Sequence, residues 1–217
     1  MAGRPGKEKA LQVFVALAGW FALVAQFYLI LVNRQAPVTE TIIRYFSFFT
    51  ILTNLLVAYS YSLCLLAPGS GQAAFFSRPQ VRTAITVYIL VVGIVYNSIL
   101  RFLWNPQGLQ WFTDELLHTV IPLACLAGWF FFLNKASLQW KQVFPWLLYP
   151  FLYAVYIFIR GAFSGFYPYP FINAAAIGWQ KAFLHAGYLT VFFFFMSLLL
   201  LAIAKWQERK KALVANR

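Results

Sequence analysis

The stretch WQKAFLHAGYLTVFFFFMSLLLLAIAK, Trp179 to Lys205, decides the fold class. Between His185 and Lys205 it holds no charged residue, and a run of that kind is what a helix needs to cross a bilayer, at about 20 apolar residues per crossing. Working outward, similar runs recur at roughly 10–32, 41–66, 83–104, 111–133 and 143–160, which with 179–205 make six. The expectation is an all-α polytopic membrane protein, a six-transmembrane-helix bundle forming one integral-membrane domain over residues 1–217. Composition agrees: 62% of the chain is hydrophobic and 10% charged, with a mean hydropathy of +0.71. A soluble domain of that make-up would expose large apolar patches.

The loops are short and carry turn residues. Asn33 to Glu40, the Gly- and Ser-rich Pro68 to Arg82, Asn105-Pro106-Gln107-Gly108 and Asn134 to Gln142 separate the first five spans. The last loop, Gly161 to Gly178, carries Tyr167-Pro168-Tyr169-Pro170 and is expected to be extended at headgroup level. Pro122, Pro145 and Pro150 fall inside spans, where membrane helices tolerate them as kinks. Cys64 and Cys125 also fall inside spans and read as small core residues. The basic N-terminus leads into an apolar run too long for a signal-peptide core, so it is read as the first span.

The net charge of +12 is distributed as a membrane protein distributes it, and it does not point to nucleic acid. One end of the bundle collects Arg4, Lys7, Lys9, Arg78, Arg82, Lys135, Lys141, Lys205, Arg209, Lys210, Lys211 and Arg217. The other has only Arg34, Arg44, Arg101, Arg160 and Lys181. The positive-inside rule then places both termini in the cytoplasm of a plasma (inner) membrane protein, and an even number of spans requires them to share a side.

The few embedded polar residues do not scatter. Span two offers Arg44, Ser47, Thr50, Thr53 and Asn54; span three ends with Asn97 and Arg101. Span four begins with Asp114, Glu115 and His118, span five ends with Arg160, and span six begins with Lys181 and His185. At ~1.5 Å per residue, Thr50, Asn97, His118 and His185 lie roughly 9–14 Å below the outer ends of their helices. Ser47, Thr50 and Asn54 share a face of a continuous helix, as do Asn97 with Arg101, Asp114 with His118, and Lys181 with His185. Groups so costly to expose to lipid should face one another, which makes a polar chamber open toward the outer leaflet. Each also has a plainer role. Thr50 and Ser47 can bond their own backbone, Asn54 and Asn97 can clasp helices, Arg44 and Lys181 can snorkel, and Asp114 and Glu115 can suit a helix N-terminus. Pro122 lies four residues after His118 and cannot supply the amide that would bond its carbonyl.

The chemistry open to this layer is narrow. Two His and Asp114 are a thin ligand set for a metal, no cysteine sits in the layer, and neither a GxSxG turn nor a Gly-rich phosphate loop is present. What remains is a hydroxyl, from Thr50 or Ser47, beside an imidazole able to act as its base, with Asn54, Asn97 or Arg101 as oxyanion donors. That combination suits acyl transfer without a cofactor, and a membrane chamber suits a lipid substrate.

Three segments carry a resemblance. They are Arg44-Tyr45-Phe46-Ser47-Phe48-Phe49-Thr50-Ile51-Leu52-Thr53-Asn54, Glu115-Leu116-Leu117-His118-Thr119-Val120-Ile121-Pro122, and Gly165-Phe166-Tyr167-Pro168-Tyr169-Pro170-Phe171. Together with helix number and order, the chain resembles the androgen-induced gene family of membrane proteins, and more closely its prokaryotic six-helix, rhodopsin-superfamily-related relatives. The resemblance implies a threonine hydrolase that cleaves fatty acid esters of hydroxy fatty acids, with a Thr on an early helix and a distant His. His118 matches the His by its following Thr119 and Pro122. Thr50 matches the Thr, while alignment on Arg-Tyr-Phe-Ser places Ser47 there.

The leading expectation is therefore an intramembrane lipid-ester hydrolase, with Thr50 as nucleophile and His118 as base. Ser47, Asn54, Asn97, Arg101, Asp114, Arg160 and His185 would line or support the site. Its partners are membrane lipids and a lipid-ester substrate; oligomeric state is not encoded legibly. The rival is a non-enzymatic binding or transport protein for a lipid or anionic ligand, favoured by Arg101, Arg160 and Lys181. A retinal protein would need a Lys deep in the last span, and Lys181 and Lys205 lie near its ends.

Overall fold

A computed structural model describes residues 5–215, and among these residues there are helices and turns but no strand. Arg4 and Arg217, both counted toward the orientation above, lie outside the described residues. Six helical segments are long and apolar enough to cross a membrane: Gly6–Val32, Phe49–Leu66, Pro79–Leu103, Gly108–Phe132, Trp140–Ser164 and Trp179–Val214. Within them we label α1 (Pro5–Val32), α3 (Phe49–Leu66), α4 (Pro79–Ser98), α5 (Gly108–Glu115), α6 (Ile121–Phe132), α7 (Leu148–Ser164) and α8 (Trp179–Ala215), with α2 (Val38–Tyr45) as a short helix before α3.

The centre of the bundle is α4. Two thirds of its apolar stretch is buried (67%), against 22% for each of the last two spans, whose outer faces are exposed. It packs on α3, on α6 and on α8, while α1 lies along α3. The α1–α3 approach is set by small residues. A Cβ on Gly19 would stand 2.9 Å from that of Ala58, so the two backbones meet where a larger side chain would hold them apart. Cys125 is buried and Cys64 half-buried, and both are free thiols.

Two boundaries differ from the sequence reading. The continuous second span expected over 41–66 is two helices with a break at residues 46–48. No Pro or Gly marks it. Ser47 turns its hydroxyl onto the Ile43 carbonyl (2.7 Å), and its amide takes the tighter bond to Arg44 O (3.0 Å). A serine bonding its own backbone competes with the helix in this way. Phe48 then goes extended (φ −80°, ψ 127°) and the chain restarts as α3. Two tyrosines of α7 hold the break, Tyr153 donating to the Ser47 carbonyl (2.9 Å) and Tyr156 lying 3.1 Å from its hydroxyl. The last helix also runs past Lys205 to Ala215. It has no stop signal there, and its tail is tied by Lys211 to Glu208 (2.7 Å) and by Lys210 over the Trp206 ring.

Proline is accommodated by side chains reaching across the bundle. Pro150 has no N–H to give the carbonyl of Trp146 one turn back; the buried Tyr88 hydroxyl of α4 donates to that carbonyl instead, at 2.7 Å. At the terminal end of the bundle, Lys135 caps the end of α6 by donating to the carbonyls of Phe130 (3.1 Å) and Leu133 (3.0 Å). Its burial, with Lys211 nearby, draws its pKa down to about 8. Removing the Tyr88 hydroxyl isolates one buried carbonyl. The Tyr88→Phe protein is therefore expected to fold with its stability lowered by about 1–3 kcal/mol, measured as reversible unfolding in detergent.

Candidate functional site

Pro122 governs the geometry around His118. Residues 116–120 form a single π-helical turn in which the Ile121 amide donates to the Leu116 carbonyl. This wide turn leaves two carbonyls without helix donors. The Leu117 carbonyl has lost Ile121, and the next residue in the wider register is Pro122; the His118 carbonyl also faces Pro122. Both are met by asparagine amides from other helices. Asn54 Nδ2 of α3 lies 3.3 Å from Leu117 O, and Asn97 Nδ2 of α4 lies 3.0 Å from His118 O. Gly93 permits the approach, because a Cβ there would stand 2.9 Å from the His118 carbonyl oxygen and 3.1 Å from Pro122.

Both asparagines also bond a carbonyl of their own helix. Asn54 also donates to Thr50 O (2.9 Å), and Asn97 to Gly93 O (2.8 Å), so their N–H groups are committed to backbone and are not oxyanion donors. Arg101 bonds Glu115 and the Thr119 hydroxyl (3.3 Å) through Nη2, while its buried Nε has no partner among the described residues.

The His118 ring is positioned by two contacts. It stacks on Tyr96 with ring centres 3.7 Å apart, and its Nδ1 lies 2.9 Å from the backbone carbonyl of Asp114. A carbonyl only accepts, so Nδ1 carries the hydrogen and Nε2 holds the lone pair. The Asp114 carboxylate does not touch the imidazole. It accepts from Tyr96 Oη (3.1 Å) and Gln110 Nε2 (3.2 Å), and Gln110 also donates to Gln26 of α1 (2.8 Å).

Thr50 is the second residue of α3, at the end where helix amides lack helix acceptors. Its amide donates to the Tyr169 hydroxyl (3.3 Å), which also lies 3.5 Å from the Thr50 hydroxyl. Burial raises the Tyr169 pKa, so the phenol stays neutral and able to donate. Thr50 and His118 line one cavity of about 410 Å³, together with Gln26, Tyr96, Asp114 and Tyr169 among apolar side chains such as Ile30, Phe48, Ile51 and Leu117. No direct hydrogen bond joins Thr50 to His118. Thr50 and Tyr169 also border a smaller apolar cavity of about 80 Å³, walled by residues of α4, α7 and α8 such as Val92, Ile157 and Phe193.

The other expected residues lie elsewhere. Ser47 is fully buried in the helix break, bonded to Ile43 O and Tyr156, and does not line the large cavity. His185 does not line the large cavity; its Nδ1 lies 2.7 Å from the Phe171 carbonyl, which ties α8 to the last loop. Arg160 and Arg44 both bond Glu40 Oε1 at 2.8 Å, and both guanidinium groups also lie over the Phe166 ring. The Arg44 bond, with help from Arg160 and against partial burial, holds the Glu40 carboxyl below its usual pKa of 4.5. Among the described residues no three His, Cys, Asp or Glu side chains converge as a metal site would require. Tyr169, Tyr96, Gln26 and Gln110 were missed by the sequence reading. Tyr169 stood in the quoted Tyr-Pro-Tyr-Pro segment, but nothing local pointed it at Thr50.

The chain matches no protein-family model, no curated protein and no solved structure. Its function is therefore argued from this geometry.

The asparagine bonds are testable without an activity assay. The Asn97→Ala protein leaves the His118 carbonyl unpaired, and its unfolding free energy in detergent should fall by about 1–3 kcal/mol.

Proposed function

We propose that the protein is an intramembrane hydrolase of lipid esters, with Thr50 as nucleophile and His118 as general base. The observation that carries this reading is that both residues, from different helices, line one cavity. The cavity's size, about 410 Å³, lies within the ~300–1,000 Å³ of small-molecule sites. Its lining is apolar with a few grouped polar atoms, as a lipid ester would require.

In the proposed reaction the Thr50 oxygen adds to the ester carbonyl carbon while His118 Nε2 takes the hydroxyl proton. The C–O bond to the alcohol then breaks, and the imidazolium returns the proton to the departing alkoxide. Water attacks the acyl-threonine, again giving its proton to Nε2. The acyl C–O bond to Thr50 breaks, the proton returns to the threonine oxygen, and a fatty acid leaves. The bond from Nδ1–H to the Asp114 carbonyl supports this role by leaving Nε2 unprotonated. We assign the oxyanion to the Tyr169 hydroxyl, which lies beside Thr50, in place of Asn54 and Asn97, whose amides bond backbone carbonyls. Thr50 is preferred to Ser47 because Ser47 does not reach the cavity.

The setting we propose is a plasma (inner) membrane with both termini cytoplasmic, supported by the Lys and Arg asymmetry. The cavity would then open toward the outer leaflet. Of the cations favouring a simple anion-binding protein, Arg101 and Arg160 are paired with Glu115 and Glu40, which weakens that rival.

Purified protein should release fatty acid from long-chain esters. Thr50→Ala and His118→Ala should each lower the rate by about 10²-fold or more, the scale of a lost acid–base partner. Full activity in both variants would end this reading.

A further inference from the structure

Beside the mouth of the large cavity lies a second, smaller pocket of about 200 Å³, between the end of α1, the loop after it and Phe166. Two guanidinium groups line it, Arg34 and Arg44, with Asn33 and Gln35; no carboxylate does. Arg44 spends only its Nε on Glu40. Its two terminal nitrogens have no hydrogen-bond partner among the described residues. Arg34 spends one nitrogen on the Leu31 carbonyl (3.0 Å). The Glu40 charge is shared with Arg160, so three guanidinium groups here face one carboxylate. The pocket is continuous in its walls with the large cavity, since Ile30, Asn33 and Phe48 border both.

A basic pocket that shares a wall with an apolar-lined cavity fits one kind of ligand. We propose that Arg34 and Arg44 form a subsite for the anionic head group, a carboxylate or phosphate, of an amphiphile whose chain lies in the large cavity. This rests on the reading of that cavity as a lipid-chain site, and it assigns substrate selection to residues outside the Thr50–His118 pair. Planar guanidinium groups suit it, because their paired N–H donors match the oxygen spacing of both anions. The apolar walls given by Ile30 and Phe48 lower the local dielectric and strengthen the attraction.

The test is equilibrium binding of dibromostearate and of its methyl ester to the full chain in phosphatidylcholine nanodiscs, read by quenching of tryptophan fluorescence. Trp104 lines the cavity that would hold the brominated chain. The acid should bind about tenfold tighter than the ester at neutral pH, and the preference should disappear in the Arg34→Gln, Arg44→Gln double variant. Arg34→Gln alone, on an exposed side chain, reduces the preference without touching the Glu40 clamp, which guards against a folding defect. Equal affinity for acid and ester, or a preference that survives both substitutions, overturns the proposal. Inorganic phosphate as competitor identifies the source: displacement supports a pocket open to free anions, and failure to displace supports one that takes the head group only with its chain. Dibromostearate has no ester to cleave. Charge-selective binding without esterase activity would leave the subsite standing and remove the hydrolase, whereas turnover without charge selectivity would do the reverse.

Discussion

The carbonyl groups freed by Pro122 set the terms for the rest of the site. In hydrocarbon an unpaired backbone carbonyl has no water to turn to, so a proline inside a spanning helix requires a donor from elsewhere in the protein. Here the wide turn at 116–120 exposes two such carbonyls, and Asn54 and Asn97 each cross to one of them. The same solution recurs at Pro150, where Tyr88 serves Trp146. These bonds are the contacts that fix where α3 and α4 stand against the His118 turn.

The proposed function rests on that placement. Asn54 bonds the Thr50 carbonyl and the carbonyl preceding His118 with one amide, so the start of α3 and the imidazole are referenced to a shared side chain. The break at 46–48 gives α3 a fresh N-terminus inside the bundle, so Thr50 sits in a first helical turn, its amide bonded to the Tyr169 hydroxyl, and not in the middle of a regular helix. A continuous span two would have left its hydroxyl free to bond its own backbone. Tyr169 then closes the group from the last loop, held there in part by its stacking on Phe171, whose carbonyl His185 bonds.

The six apolar segments were legible because a helix fit to cross lipid allows few charges. Pro122 was legible as a missing donor, but the identity of its replacement was not. Asn54 and Asn97 look alike whether they bind substrate or backbone, and only the fold tells which. The break at Ser47 escaped notice since no Gly or Pro announces it; its cause is a serine hydroxyl and two tyrosines more than a hundred positions away. Tyr169 was illegible for the same reason, its partner Thr50 being 119 positions away, as was the bond from Gln110 to Gln26, 84 positions away. The lone shared layer of two histidines suggested one site, yet His185 serves the loop and only His118 faces the cavity. Depth alone does not fix which way a side chain points.

In the proposed reaction the Thr50 oxygen becomes a nucleophile through His118. The most direct measurement is residue-level mass spectrometry of the purified protein after reaction with a long-chain fluorophosphonate, which phosphonylates an activated hydroxyl. The account predicts an adduct on Thr50 that is lost in the His118→Ala protein. An unmodified Thr50 in a preparation that still cleaves esters, or an adduct on Ser47 in its place, would contradict it.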